Sequence, residues 1–437
     1  MLASPTRVTL INPPSGRGTL ANREGAAGLG VVYSAAETFL YPPHTIACVA
    51  ASLRSAGYQV RAMDLVVQPP DPSCLEVEAI GIFVSWATMK SDLEFLAALR
   101  SQTPARLIAF GNSMRFIGAD ILAHAPVDAV LVGEAEGCFG EAVERVLLQS
   151  CGSGPQLLNG TAMQTRRCDQ DGWVIDLDAL PFPAWDLLPT QQYKLLTVSA
   201  SRGCPDRCAY CPYAAAQGHS WRTRSAENVL TELKWLVEHF NPARVIFRDP
   251  VFAYQRSRVV ELCEHILRSR LRIQWECESR PEHFDAELLQ LMYGAGCRWV
   301  KIGLETTDPG LLLELQRVDS AGEGAGYVAR VSQVISACNK LGMNCRLFVM
   351  TGLPGQTSAM AEQTARFVTA HRPTFLNVKH FEPYPGTGAG QAEADDVEAQ
   401  STILMQAQTS LLTRSSRPGT IRQVKSWLRR VWRRPAR

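Results

Sequence analysis

Short runs of aliphatic and β-branched residues alternate along this chain with longer segments whose apolar positions recur every three or four residues. In the first third the runs are Arg7 to Ile11, Gln59 to Leu65, Ile80 to Ser85, Arg106 to Phe110 and Ala129 to Val132, and helical spacing occupies 44–56, 90–101, 115–125 and 136–149. Such alternation predicts a parallel sheet covered on both faces, in the doubly wound manner. From residue 195 the pattern resumes, with strands expected at Leu195 to Ala200, Arg244 to Phe247, Ile273 to Cys277, Trp299 to Leu304, Arg346 to Met350 and Leu376 to His380. Helical segments follow the first five, near 225–240, 255–269, 285–295, 308–317 with 327–341, and 357–371. Six β/α units in succession predict a partial (β/α)6 barrel of the TIM type, with its active site at the carboxyl ends of the strands.

The expected architecture is α/β: a Rossmann-like domain over 1–150, a connector over 151–192, a barrel over 193–390, and a helical region with a basic tail over 391–437. Prolines in Leu180-Pro181-Phe182-Pro183 forbid a continuous helix in the connector. A long stretch from Ser15 to Pro43 separates the first strand from its helix, and a loop of that length is expected to be functional or mobile.

Composition narrows the class. A hydrophobic content of 46% in 437 residues suffices for two or three globular cores. No run of 18 apolar residues is present, and the first residues pass straight into a strand, so neither a membrane span nor a secretory signal is expected. Thirteen scattered cysteines without the framework of a small secreted domain point to a reducing compartment, hence a cytoplasmic protein. The net charge of +2 conceals a tail, Arg414 to Arg437, with nine Lys or Arg and no acidic residue. Within it Ile421, Val424, Leu428 and Val431 recur at helical steps beside Trp427 and Trp432, the pattern of a basic amphipathic helix lying on the inner face of an anionic membrane. A nucleic-acid contact or a solvated tail gives a similar pattern and is the lesser expectation.

The chemistry is carried by Ser201-Arg202-Gly203-Cys204-Pro205-Asp206-Arg207-Cys208-Ala209-Tyr210-Cys211, directly after the first barrel strand. Three thiolates on one loop can hold three corners of a cubane iron–sulfur cluster and leave the fourth iron open to a ligand. A zinc knuckle needs a fourth ligand, which His219 alone does not supply as a pair. At later strand ends stand Arg248 and Asp249, Glu278 and Arg280, the run Gly303-Leu304-Glu305-Thr306-Thr307-Asp308-Pro309, and Gly352-Leu353-Pro354-Gly355. Charged groups there can contact ligands or bridge the barrel mouth, and Thr-Thr-Asp-Pro is also a helix start. In the first domain the strand ends carry Asn12, Asp64, Ser85, Gly111 and Gly133-Glu134, while Gly-x-Gly-x-x-Gly is absent.

Over roughly residues 7 to 390 these motifs resemble the radical S-adenosylmethionine (SAM) enzymes, in particular the subgroup with an N-terminal cobalamin-binding domain. The resemblance implies that Cys204, Cys208 and Cys211 ligate a 4Fe–4S cluster whose open iron chelates SAM. It implies SAM contacts from Tyr210, Arg248, Glu278, Glu305, Thr306, Gly352 and Gly355, and cobalamin contacts from Asn12, Asp64, Ser85, Gly111, Gly133 and Glu134. One departure is plain: the Asp-x-His-x-x-Gly motif that supplies a lower imidazole ligand to cobalt is missing. The implied activity is methylation of an unactivated carbon in a small-molecule or lipid-like substrate through a 5′-deoxyadenosyl radical, with flavodoxin or ferredoxin as electron donor. Cyclisation or rearrangement with the same cofactors, a relative that has lost cobalamin, and a non-catalytic iron–sulfur protein are the alternatives. The dispersal of Cys48, Cys74 and Cys138 argues against a methylthiotransferase, which needs a second cysteine cluster.

Overall fold

The computed structural model describes residues 5–34, 39–149, 154–159, 168–388 and 394–414, so the basic tail lies outside the described residues. The chain forms two compact units. The first comprises Met1–Val198, Pro212–Arg224 and Trp235–Ala243; the second comprises Ser199–Cys211, Ser225–Lys234 and Arg244–Arg437.

In the first unit six parallel strands, β1 (Arg7–Asn12), β2 (Gln59–Asp64), β3 (Ala79–Phe83), β4 (Arg106–Phe110), β5 (Ala129–Leu131) and β6 (Gln156–Leu158), run in the order β2-β1-β3-β4-β5-β6. The order reverses at β1, which places the switch point at the ends of β1 and β3. Helices His44–Ser55, Met89–Arg100, Met114–His124 and Phe139–Leu148 follow the pattern of the sequence. Beneath them Phe83 stacks on Phe110, which meets Phe139 edge-on. Gly81 makes room for this ladder: a Cβ there would lie 2.5 Å from Phe139 Cζ.

Two features differ from the sequence reading. Strand β6 comes from the segment read as a connector, because Gln156–Leu158 pairs in register with Ala129–Leu131. The stretch from Ser15 to Pro43 is not all loop: Thr19–Asn22 and Val31–Ser34 pair as an antiparallel hairpin around a 3-10 turn at Ala26–Gly28. The hairpin is pinned over the strand ends by Arg23, whose guanidinium is wholly buried and pairs with Asp92 at 2.5 Å while donating to Asn12 Oδ1 and the Pro13 carbonyl.

The six barrel strands fall where the sequence places them, beginning with β7 (Leu196–Val198), which is buried and ends the first stretch of the first unit. In the second unit β8 (Val245–Phe247), β9 (Trp275–Glu278), β10 (Cys297–Glu305), β11 (Asn344–Thr351) and β12 (Phe375–His380) are parallel in the order β12-β11-β10-β9-β8. Side chains alternate along them. Cys277, Val300, Ile302, Leu304, Leu347, Val349 and Leu376 are fully buried on the helix-covered face, and Glu276, Glu278, Lys301, Arg346, Phe348, Asn377 and Lys379 occupy the intervening positions on the other face. The last described helix, Val397–Arg414, returns to this unit: Gln400 accepts from the Gly352 amide at 3.0 Å and donates to the Gln356 carbonyl at 2.9 Å.

Candidate functional site

The cysteine loop belongs to the second unit and is braced from below. Asp249, buried after β8, accepts from the Ala200 amide at 3.0 Å and from Ser201 Oγ at 2.5 Å, with Arg258 3.8 Å away. Of the strand-end charges weighed from sequence, Asp249 is thus a brace for the backbone leading to Cys204. Within the loop Cys204 is buried, Cys208 and Cys211 are half-exposed, and the Ala209 amide donates to the Leu315 carbonyl at 3.0 Å.

No group of three or more His, Cys, Asp or Glu converges on a single metal position among the described residues. A mononuclear ion requires such convergence, whereas a cubane presents three irons at separate corners to three separated thiolates. The donor set fits the cluster on chemical grounds. Burial and the neighbouring Asp206 push the free Cys204 thiol up to about 12, so iron must displace its proton. Cys208 Sγ faces two guanidinium groups, Arg317 Nη1 at 3.5 Å and Arg280 Nη1 at 3.9 Å.

These two arginines were not singled out for the cluster in the sequence, and they tie it to the ends of β9 and β10. Arg280 also bonds Asp206 at 2.9 Å and Glu282 at 2.7 Å. Arg317 donates to the Gly303 carbonyl at 3.1 Å and to the Tyr327 hydroxyl, which itself donates to Gly303. Burial opposes the Arg317 charge, but Tyr210, Tyr327, Cys208 and Glu305 around it outweigh that effect and keep it ionised.

Glu305 occupies the end of β10 after a register shift against β11, with a left-handed backbone of φ 63°. A non-glycine residue there costs on the order of 1 kcal/mol or more, a strain that aims the carboxylate toward the cysteine loop. Tyr210 donates to Glu305 Oε1 at 2.8 Å. Burial pushes both groups up, with Arg317 opposing the effect on each. The predicted pair therefore meets. Thr306 is buried and accepts from the Asp308 amide at 3.2 Å, and Asp308 caps the next helix by accepting from Leu311 at 2.9 Å, so the helix-start reading of this run holds. Gly352 and Gly355 both have positive φ, but a Cβ on Gly352 would meet His380 at 2.6 Å, whereas Gly355 faces open space. Arg248 and Glu278 are half-buried; burial pushes Glu278 up against the pull of Lys301, Arg248, Lys379 and Arg317.

In the first unit the six predicted strand-end residues are engaged with their own chain. Asn12 donates to Asp64 Oδ1 at 2.8 Å, Tyr193 donates to the other Asp64 oxygen, and the Ser85 hydroxyl shares a hydrogen bond with Thr88. Glu134 is clamped by Arg222 at 2.7 Å and by the Val174 amide. A Cβ at Gly111 or Gly133 would lie 2.7 Å from a carbonyl oxygen, of Val84 or Gly172. These residues are thus tied into the chain at the strand ends. The group that fits an added ligand is Asn22, in the hairpin: it is buried, and neither amide atom has a hydrogen-bond partner among the described residues.

The three-cysteine loop lies against Arg317, Tyr210 and Glu305 at one end of the barrel, with Arg317 and Glu305 buried and Tyr210 half-buried. Residues 198–368 match the Radical SAM superfamily, and the chain carries a radical SAM domain. Curated relatives include an uncharacterized methyltransferase, PH0819, of Pyrococcus horikoshii, 28% identical over 270 residues, 60% of this chain and 57% of that one. The Hopanoid C-3 methylase of Methylococcus capsulatus is 24% identical over 396 residues, 85% of this chain and 72% of the relative. The chain thus spans little more than half of the first relative. Among solved structures, the radical SAM methyltransferase TsrM from Kitasatospora setae with cobalamin and a [4Fe-4S] cluster bound matches with a TM-score of 0.67 at 17% identity, covering 88% of this chain and 74% of that one. That likeness shows a shared fold in both units.

Proposed function

We propose that this chain is a cobalamin-dependent radical SAM enzyme that methylates an unactivated carbon. The observation that carries the reading is the convergence of Cys208, Arg317, Tyr210 and Glu305 on one end of the barrel. When bound, the cluster and SAM supply reductive cleavage of a sulfonium, and cobalamin supplies the methyl group. The residues hold and orient. Cys204, Cys208 and Cys211 hold the cluster, with Arg280 and Arg317 balancing its thiolate charge. Glu305 would accept from ribose hydroxyls or the ammonium of SAM, with Tyr210 fixing its carboxylate. Arg248, Glu278, Thr306, Gly352 and Gly355 complete this end of the barrel. In the first unit Asn22 would pair with an amide arm of cobalamin, within a wall built by Asn12, Asp64, Ser85, Gly111, Gly133 and Glu134.

The redox partner is a one-electron donor of the flavodoxin or ferredoxin kind, in a reducing, cytoplasmic setting consistent with free cysteines at every described position. No described helix is long and apolar enough to cross a membrane, and the contact proposed for the basic tail is peripheral. The test is anaerobic reconstitution. Wild type should show cluster and cobalamin absorbance and cleave SAM under dithionite, and turnover should yield a methylated product with S-adenosylhomocysteine. Equal cleavage by the Cys204→Ala, Cys208→Ala, Cys211→Ala triple variant sinks the catalytic reading.

A further inference from the structure

The barrel face that does not meet the helices is charged. Around Glu276 gather Lys301 at 2.8 Å, Arg244 at 3.4 Å and Arg346, which together hold its carboxyl below the usual range although burial works the other way. One register step higher, Glu278 is opposite Lys301, and Lys301 is opposite Arg346. Glu278 feels Arg248 and Lys379 as well. Setting aside Arg280 and Arg317, which reach Cys208, and Glu305, which accepts from Tyr210, the lumen-facing positions carry Arg244, Arg248, Lys301, Arg346 and Lys379 with Glu276 and Glu278. A buried guanidinium donor without a partner is costly unless an acceptor joins it.

Among these cations Arg346 is held by rings and keeps a donor without a partner among the described residues. Its guanidinium carbon lies 5.4 Å from the Trp299 ring centre and 5.2 Å from that of Phe375, so two aromatic side chains from neighbouring strands hold it. Its Nε is buried and has no hydrogen-bond partner among the described residues. Phe348, one pleat higher on the same strand and face, is half-buried, as are Trp299 and Phe375. An arginine fixed between rings presents a planar fork of donors, which matches a carboxylate in two-point contact, and the aromatic side chains beside it suit a flat body. A neutral hydrocarbon would leave this donor unmet.

We propose that the barrel lumen binds a substrate with a carboxylate on a flat, aromatic body, with Arg346 as the carboxylate anchor. This deepens the radical SAM reading and rests on it. The test uses full-length holoenzyme, oxidised and anaerobic, with SAM bound, titrated calorimetrically with 2-naphthoate and its neutral isostere 2-naphthamide, and with benzoate and benzamide. Wild type should bind at least one carboxylate about tenfold more tightly than its amide, as expected for one charge-assisted contact. Arg346→Met should remove that preference while amide affinity stays within about twofold. Arg346→Lys, which keeps the charge and loses the fork, should reduce the preference by about threefold or more.

Equal binding of carboxylate and amide by wild type, or no binding of either pair, overturns the proposal, as does a preference that survives Arg346→Met. If Arg346→Met fails to fold, by circular dichroism, an undiminished preference in Arg346→Lys overturns it instead. Failure of the radical SAM reading registers separately, as absence of dithionite-dependent SAM cleavage by wild type, since the binding assay requires no turnover.

Discussion

Replacing Gly303 by alanine should disable the site while sparing the fold. A Cβ built on Gly303 would lie 2.2 Å from Glu305 Oε1 and 3.2 Å from Arg317 Nη2. Ordinary van der Waals contact begins near 3.4 Å, so the carboxylate oxygen must retreat by more than an ångström. The Tyr210 hydroxyl is 2.8 Å from that same oxygen, and a retreat of this size takes it out of hydrogen-bond range. Loss of a hydrogen bond to a charged acceptor costs about 1.5–3 kcal/mol, or roughly a tenfold to hundredfold loss in SAM affinity if Glu305 orients the ligand. The displaced atom is the end of a flexible side chain, so the stability cost stays near that of an off-rotamer side chain, about 0.5–1.5 kcal/mol. The assay is calorimetric titration of SAM into anaerobically reconstituted wild type and Gly303→Ala, alongside thermal unfolding. A SAM affinity within about threefold of wild type would refute the role given to Glu305, and a collapsed melting transition would refute the claim that the fold is spared.

Further expectations follow from other contacts. Asn22→Leu should lower the cobalamin retained after gel filtration, read as absorbance per mole of protein, and unchanged retention would remove Asn22 from the cobalamin site. Arg222→Met leaves Glu134 buried without its clamp, and a cost of about 3–5 kcal/mol should appear as a lowered midpoint in denaturant; no shift would mean that water replaces the arginine. Burial and Glu144 push Tyr58 up to about 12, above its ordinary value of 10.0. The folded pKa is raised, so the stabilising contribution is complete below pH 10 and is lost as pH rises through 12; Tyr58→Phe should flatten that part of the stability profile, and a Tyr58 that titrates near 10 would contradict it.

The regular elements were readable because each strand and helix declares its own period, and the strands of the two sheets and their helices depart from that reading chiefly at Gln156–Leu158. That strand was hidden inside a connector since three residues carry too little pattern to stand alone. The hairpin over residues 19–34 escaped because what fixes it is a pair remote in sequence, Arg23 with Asp92. Tyr210 and Glu305 were singled out through their motifs, and the fold brings the two side chains into contact. Arg317 was not, although its place just past the helix Pro309–Glu314 offered a faint signal; its importance lies in reaching Cys208, Gly303 and Tyr327 together, which is a property of the folded chain. The strand-end polar residues of the first unit were correctly placed, but sequence gives no account of which partners would already occupy them.

The staple made by Arg23 and Asp92 also bears on how the protein is assembled. Lifting the hairpin breaks the Arg23–Asp92 pair together with the bonds from Asn112 to Ala27 and from Ser113 to Gly28, so several contacts must be given up at once. A bulky occupant behind it would then load slowly into finished protein and quickly during refolding. Preparation history, and not affinity alone, would decide how full a purified sample is.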